Sequence, residues 1–179
     1  MKLAILGYSG CGKSTLAKYL GQMYQIPVLY LDTVQYLPDW KVRELSEAVT
    51  MVSEFMRQDS WVIDGNYIKY LQRERLEQAD YIVFMDFPRI VCFIRAYKRY
   101  LKYRNRTRES MAKGCNEKMD REFVWWLLHK GREKKRRKHY QEIVAEFSEK
   151  TVIIKSQRQL DEFMKDPFKS MNRNSIFAK

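Results

Sequence analysis

The chain has 179 residues, 45% of them apolar and 31% charged, and a formal net charge of +12. These proportions suit one globular domain with a core of its own and exclude a disordered or fibrous chain. No apolar run approaches the roughly 18 residues that span a membrane, so no membrane partner is expected. Cys11, Cys92 and Cys115 are far apart, with neither metal-site spacing nor a disulfide framework, and, since Lys2 already opens a strand pattern, no signal peptide is expected. A cytoplasmic location is the expectation. The charge is uneven: residues 89–139 hold 18 Lys and Arg against 5 Asp and Glu, and the rest of the chain holds 16 against 17. The whole basic excess lies in one block, which must face phosphates, an acidic surface or solvent.

In chain order, Lys2 to Leu6 reads as a buried strand. Gly7 to Thr15, G-Y-S-G-C-G-K-S-T, then matches the phosphate-binding pattern of Gly, four residues, Gly, Lys, Ser or Thr. A helix follows, with Leu16, Tyr19, Leu20 and Met23 on one face. Val28 to Leu31 reads as strand two and ends at Asp32. Asp39 is placed to cap a helix from about Lys41 to Arg57, with Leu45, Val49, Val52 and Met56 inward. Ser60 to Ile63 is strand three, stopped by Asp64, and a helix runs on from Tyr67 to about Gln78. Tyr81 to Met85 is strand four, ended by Asp86. A helix from Pro88 to about Tyr103 aligns Ile90, Ile94, Tyr97 and Leu101 as its apolar face. A polar loop, 104–116, precedes a long helical pattern over 117–147, interrupted at Gly131. Thr151 to Ile154 is strand five. Ser156 with Gln159 reads as a capping box for a last helix ending near Pro167. Residues 1–166 are expected to form the domain and 167–179 a frayed tail.

Strands alternating with helices predict an α/β fold: a five-stranded parallel sheet with helices on both faces, in three layers, and the phosphate-binding pattern after the first strand makes it the P-loop NTPase arrangement. Ligands of such sheets lie beyond the carboxyl ends of the strands. Gly7, Ser9, Gly10, Cys11, Gly12, Lys13, Ser14 and Thr15 are the candidate nucleotide cradle, where backbone N–H groups and a helix N-terminus meet phosphate oxygens. Lys13 would reach the β- and γ-phosphates of ATP, and Ser14 would ligate Mg²⁺. Asp32, Asp64 and Asp86 each close a strand on the same rim. Asp64 is the first choice for the metal shell, and Asp32 for contacting or deprotonating an acceptor hydroxyl. Asp64 and Asn66 stand beside Asp32 on the acceptor side, and Asp86 suits a neighbouring loop. Arg95 and Arg99 share a helix face opposite the apolar one, and Arg104, Arg106 and Arg108 follow in the loop. Several arginines near a triphosphate are expected, with Arg99, Arg106 and Arg108 neutralising the transferring group.

Residues 132–138, R-E-K-K-R-R-K, carry more charge than one nucleotide requires. They are a solvated helix face or a nucleic-acid contact, with Trp125 and Trp126 beside them as packing groups or base-stacking platforms.

The chain resembles the adenylate-kinase-like branch of P-loop kinases. Asp86, Pro88, Arg95 and Arg99 reproduce its strand-end Asp, Pro two residues later, and arginines nine and thirteen positions on. The resemblance implies Arg95 on the adenine, Arg99 on the phosphates, and a basic lid starting at Arg104 that closes over them. Asp64-Gly65 matches the Asp-Gly after strand three. The run continues Asn66-Tyr67-Ile68 where adenylate kinases have Phe-Pro-Arg, so the arginine that grips a monophosphate acceptor has no counterpart. The chain also resembles the bacterial DNA topology modulation proteins, FlaR-like, through W-V-I-D-G-N-Y at 61–67, D-F-P-R at 86–89, G-C-N-E at 114–117 and E-F-V-W-W at 122–126. The two resemblances imply an ATP- and Mg²⁺-dependent phosphotransferase acting on a small acceptor, or a nucleotide-responsive DNA-binding regulator.

Overall fold

The computed structural model describes residues 1–104, 106–167 and 169. Five parallel strands form one sheet: β1 (Lys2–Gly7), β2 (Val28–Tyr30), β3 (Trp61–Asp64), β4 (Tyr81–Met85) and β5 (Thr151–Ile154), in the order β2-β3-β1-β4-β5. β1 sits at the centre because its run from Leu3 to Leu6 is apolar on both faces. Leu3, Ala4, Ile5 and Leu6 are fully buried, and burial of each large side chain stabilises the fold by about 1.5–3 kcal/mol. Register places Ile5 beside Asp64 and Gly7 beside Met85, so the strand ends meet at one rim.

Among the described residues the α-helices around the sheet are α1 (Lys13–Tyr24), α2 (Leu31–Gln35), α3 (Leu45–Met56), α4 (Gln72–Gln78), α5 (Arg89–Tyr103), α6 (Arg121–Leu128), α7 (Lys134–Glu146) and α8 (Gln157–Lys165). The long pattern over 117–147 breaks as expected, with a 3-10 turn at Lys130–Arg132 between α6 and α7. Ser156 caps α8 by accepting from the Gln159 N–H, while the Gln159 side chain accepts from Lys155 N–H, one residue short of a reciprocal box. The tail expected at 167–179 lies outside the described residues except for Pro167 and Lys169.

Several boundaries differ from expectation. Strand two stops at Tyr30, so Asp32 stands in the first turn of α2 rather than at a strand end. Asp39 caps nothing. It takes φ 61° in a 3-10 turn, Pro38–Trp40, a conformation Asp tolerates, and α3 begins only at Leu45. α4 also begins late, because Arg75 gathers the carbonyls of Gly65, Tyr67 and Tyr70 and holds that segment out of a helix.

The largest difference is at α5. Ile90, Ile94, Tyr97 and Leu101 are 59%, 47%, 47% and 55% exposed, while Cys92 and Ala96 are buried. The cause is Gly10. A Cβ there would lie 2.4 Å from the Cys92 carbonyl oxygen and 3.4 Å from the Ala96 Cβ. The phosphate loop comes so close to α5 that only small side chains fit between them, and the large ones turn outward. In α1 the expected Leu16 and Leu20 are buried and only Met23, 46% exposed, turns out; in α3 Val52 and Met56 are buried and Leu45 is 46% exposed.

Candidate functional site

The loop between β1 and α1 is the base of the site. Gly10 has φ 79° as well as its close approach to α5, so both backbone and space require glycine. Gly12 precedes α1 with φ 102°, which leaves the first N–H groups of that helix without side-chain caps. Ser9, Gly10, Gly12, Lys13 and Ser14 are half-buried, Cys11 is buried and Thr15 is exposed, so the loop is not sealed against the rest of the protein. Burial pushes the Cys11 thiol up to about 11 and keeps it protonated. Lys13 folds back and donates to the Tyr8 carbonyl at 3.1 Å. Burial alone would lower its pKa, but Cys11, Asp64 and Asp32 outweigh that and hold it raised.

The rim divides its three aspartates. Asp64 and Asp32 share the Lys13 neighbourhood. Asp64, 5% exposed, accepts the Ser14 hydroxyl on Oδ2 at 2.7 Å, while its buried Oδ1 has no hydrogen-bond partner among the described residues. Burial pushes its carboxyl up to about 6, against the lowering effects of Lys13 and the Ser14 hydroxyl. A hydroxyl beside a carboxylate with an orphaned oxygen suits a hard cation that takes one or two protein oxygens and fills its shell with water and phosphate, which is the habit of Mg²⁺. Among the described residues no group of three or more His, Cys, Asp or Glu could hold a metal by itself. Asp32 accepts the Tyr67 hydroxyl on Oδ1 at 2.7 Å. Burial and then the Asp32 charge hold the Tyr67 phenol protonated. Asp86 keeps other company. Burial raises its pKa, and the cations that oppose the rise are Lys155 and Arg132.

Asn66, expected on the acceptor side, is bonded to Gly7. Its Oδ1 accepts from the Gly7 N–H at 3.0 Å and its Nδ2 donates to the Gly7 carbonyl at 2.6 Å. It fastens the start of the phosphate loop to the end of β3. Arg95 lies against the loop, with Nη1 donating to the Cys11 carbonyl at 2.5 Å and its guanidinium 4.0 Å above the Phe87 ring. Arg99 and Arg108 both reach Glu117, and Arg106 is exposed. Burial, and then the Arg108 charge, lower the Arg99 pKa, while Glu117 raises it.

Three residues escaped the motif reading. In sequence Glu117 and Tyr67 stand only as the starts of helical stretches and within the stretches that carry the resemblance, without a role at the site. Arg132 belongs to the basic run, but it points inward: its guanidinium is 3.8 Å above the Tyr8 ring and donates to the Phe87 carbonyl at 2.7 Å. Nothing in local sequence separates it from Lys134–Lys138, which are exposed. Trp126 lies under Arg136 at 4.3 Å, and Trp125, 61% exposed, stacks on His129. A hollow of about 230 Å³ beside Trp125 is lined by Met119, Arg121, Val124, Leu128 and His129, without any residue of the phosphate loop.

No protein-family model matches the chain. A curated shikimate kinase from Flavobacterium johnsoniae is 43% identical over 47 residues, which are 26% of this chain and 27% of that protein, so the match spans about a quarter of the relative. Among solved structures the chain is similar to a gluconokinase from Sinorhizobium meliloti 1021 (TM-score 0.56, 15% identity, 98% of this chain and 93% of that one). It is also similar to a deoxyadenosine kinase from M. mycoides with the products dCMP and a flexible dCDP bound (0.55, 15%, 97% and 99%) and to a shikimate kinase from Aquifex aeolicus vf5 (0.50, 14%, 98% and 99%). The fold is that of the P-loop kinases. Among the described residues no helix is long and apolar enough to cross a membrane.

Proposed function

We propose that this protein is a phosphotransferase that moves the γ-phosphoryl group of Mg·ATP to a hydroxyl of a small acceptor. The observation that carries the reading is Ser14 Oγ held 2.7 Å from Asp64, whose other buried oxygen is orphaned, at the head of a glycine loop with Lys13 beside it. Ser14 and Asp64 would hold Mg²⁺, which when bound neutralises charge on the transferring phosphate. Lys13, Arg99, Arg108 and the exposed Arg106 supply cations for the remaining phosphate oxygens, and Arg95 on Phe87 offers a flat surface for the base. Asp32 faces the acceptor. Tyr67 fixes its Oδ1, and its Oδ2 takes the hydroxyl proton as the acceptor oxygen bonds to phosphorus and ADP leaves.

The acceptor is a neutral hydroxyl compound in this reading. Arg75 is fully buried with its donors on three carbonyls, Arg73 is paired with Glu77 and Glu146, and Arg43 is tied to the Val34 carbonyl and Glu47. None is available to an acceptor phosphate. The narrower kinship with the FlaR-like topology modulation proteins rests on the sequence stretches alone.

The test is thermal unfolding with and without Mg·ATP. At one hundred times its Kd the ligand adds roughly 2.7 kcal/mol, and Lys13→Ala abolishes the gain. A wild type with no shift overturns the reading. A panel of hydroxyl metabolites with labelled ATP then identifies the acceptor.

A second reading is favoured by the five exposed consecutive cations of Lys134–Lys138. In it the protein is a nucleotide-responsive DNA-binding regulator. Duplex binding through those residues weakens steeply with salt, and absence of binding at low salt ends that reading.

A further inference from the structure

One carboxylate holds two guanidiniums, that of Arg99 in α5 and that of Arg108 in the lid. Glu117 Oε1 accepts from both Nε and Nη2 of Arg99 at 2.8 Å, and Oε2 accepts from Nε of Arg108 at 2.5 Å. The Glu117 side chain is 4% exposed, against 28% for Arg99 and 13% for Arg108. Two like charges this close in a poorly solvated place repel one another, and a buried anion between them offsets the repulsion. Arg108 Nη1 is occupied by the Ser110 hydroxyl at 3.1 Å. Arg99 Nη1 and Arg108 Nη2 have no partner among the described residues, so each arginine keeps one forked nitrogen to offer an anion.

The carboxylate is not what shuts the lid. Arg104 pairs with Glu117 and Thr107 with Asn116 through the backbone. Lys18 of α1 pairs with Glu109 at the lid's tip. On the acceptor side the lid rests on the segment after α2: Cys115 Sγ donates to the Leu37 carbonyl at 3.2 Å, and Lys118 lies 4.8 Å above the Trp40 ring. With the loop anchored at these points, the Glu117 charge has another use.

We propose that Glu117 is a positioning residue: it binds Arg99 and Arg108 into one rigid dication aimed at the γ-phosphate. The proposal rests on the kinase reading above. A rigid pair of donors is worth more to a transition state than two mobile ones, because its reorganisation is done before the charge develops. The opposite role is a competitor, an anion that occupies the arginines and must be displaced by the triphosphate. The two roles predict opposite signs when the charge is removed.

The experiment uses the full chain, with Mg·ATP and Mg·ADP as probes and water as acceptor. In that intrinsic hydrolysis the water oxygen bonds to the γ-phosphorus, the bond to ADP breaks and the proton passes to solvent. Glu117→Gln keeps the side chain's size and removes its charge. Its hydrolysis kcat is expected to fall roughly 10- to 100-fold, as when a residue that orients a functional ligand is lost. ATP binding weakens several-fold, ADP binding much less, and Glu117→Asp recovers part of the rate. Lys18→Ala, which frees the lid's tip, leaves kcat unchanged.

Tighter ATP binding in Glu117→Gln makes Glu117 a competitor and overturns the proposal. So do unchanged rates, or an equal loss of ATP and ADP binding, which marks a role in lid structure alone. Urea unfolding of each variant shows whether it is folded before its rate is read, and if Glu117→Gln is unfolded the Asp variant carries the same ATP-against-ADP comparison. A wild type that binds neither nucleotide overturns the kinase reading itself, whereas nucleotide binding indifferent to Glu117 overturns only this inference.

Discussion

Asp64→Asn should make the protein more stable and at the same time blind to Mg·ATP. Asp64 lies in a site that suits a cation but holds a buried carboxylate, its Oδ1 without a hydrogen bond. Its pKa moves from the ordinary 3.8 to about 6, so the ionised form costs the fold roughly 3 kcal/mol at neutral pH. The sign follows from the raised value. The folded state binds the proton more tightly than the unfolded chain, so there is no penalty below 3.8; it grows as pH rises and is complete above about 6. Asparagine keeps the shape and an acceptor for the Ser14 hydroxyl, and exchanges an orphaned acceptor for an orphaned donor. The ligand-free variant is therefore expected to be about 1–3 kcal/mol more stable than wild type at pH 7 and nearly equal to it at pH 4. With Mg·ATP the order changes. Wild type gains roughly 2.7 kcal/mol at one hundred times its Kd, and the variant gains little. Urea unfolding at both pH values, with and without Mg·ATP, reads all four states. A variant less stable than wild type at pH 7 that still gains fully from Mg·ATP refutes the reasoning, because Asp64 would then be a satisfied structural carboxylate.

Gly10→Ala places a methyl 2.4 Å from the Cys92 carbonyl at φ 79°, and the backbone strain alone is about 1–3 kcal/mol; nucleotide-induced stabilisation should fall with it, read by thermal unfolding. Arg75→Met removes a fully buried cation whose pKa burial lowers to about 10, but it strands three carbonyls of the 65–70 segment. A net loss of about 2–5 kcal/mol in urea is expected, and a neutral result would show that the segment holds itself. Ile94→Gln and Leu101→Gln should each change stability by no more than about 0.5 kcal/mol, since both side chains point outward, whereas Leu20→Ala in the core should cost about 2–5 kcal/mol.

Local sequence determined the elements whose causes are local. The glycine spacing of residues 7–15, the apolar runs of the five strands and the Ser156 cap each state a backbone requirement within a few residues, and each lies within a residue of where the sequence places it. The charge count located the basic block. Tertiary structure decided which helix faces turn inward, because that depends on distance to another segment. Apolar periodicity marks the large residues of α5. Contact with Gly10 reserves the inner face for Cys92 and Ala96 and leaves Ile90 and Ile94 outside. The same kind of contact divides charges that look alike in sequence. Arg132 turns in to Tyr8 while Lys134 stays in water, and Glu117 joins Arg99 and Arg108 across 18 and 9 residues. A side chain's partner is set by the packing of distant strands and loops, and no spacing along the chain records it.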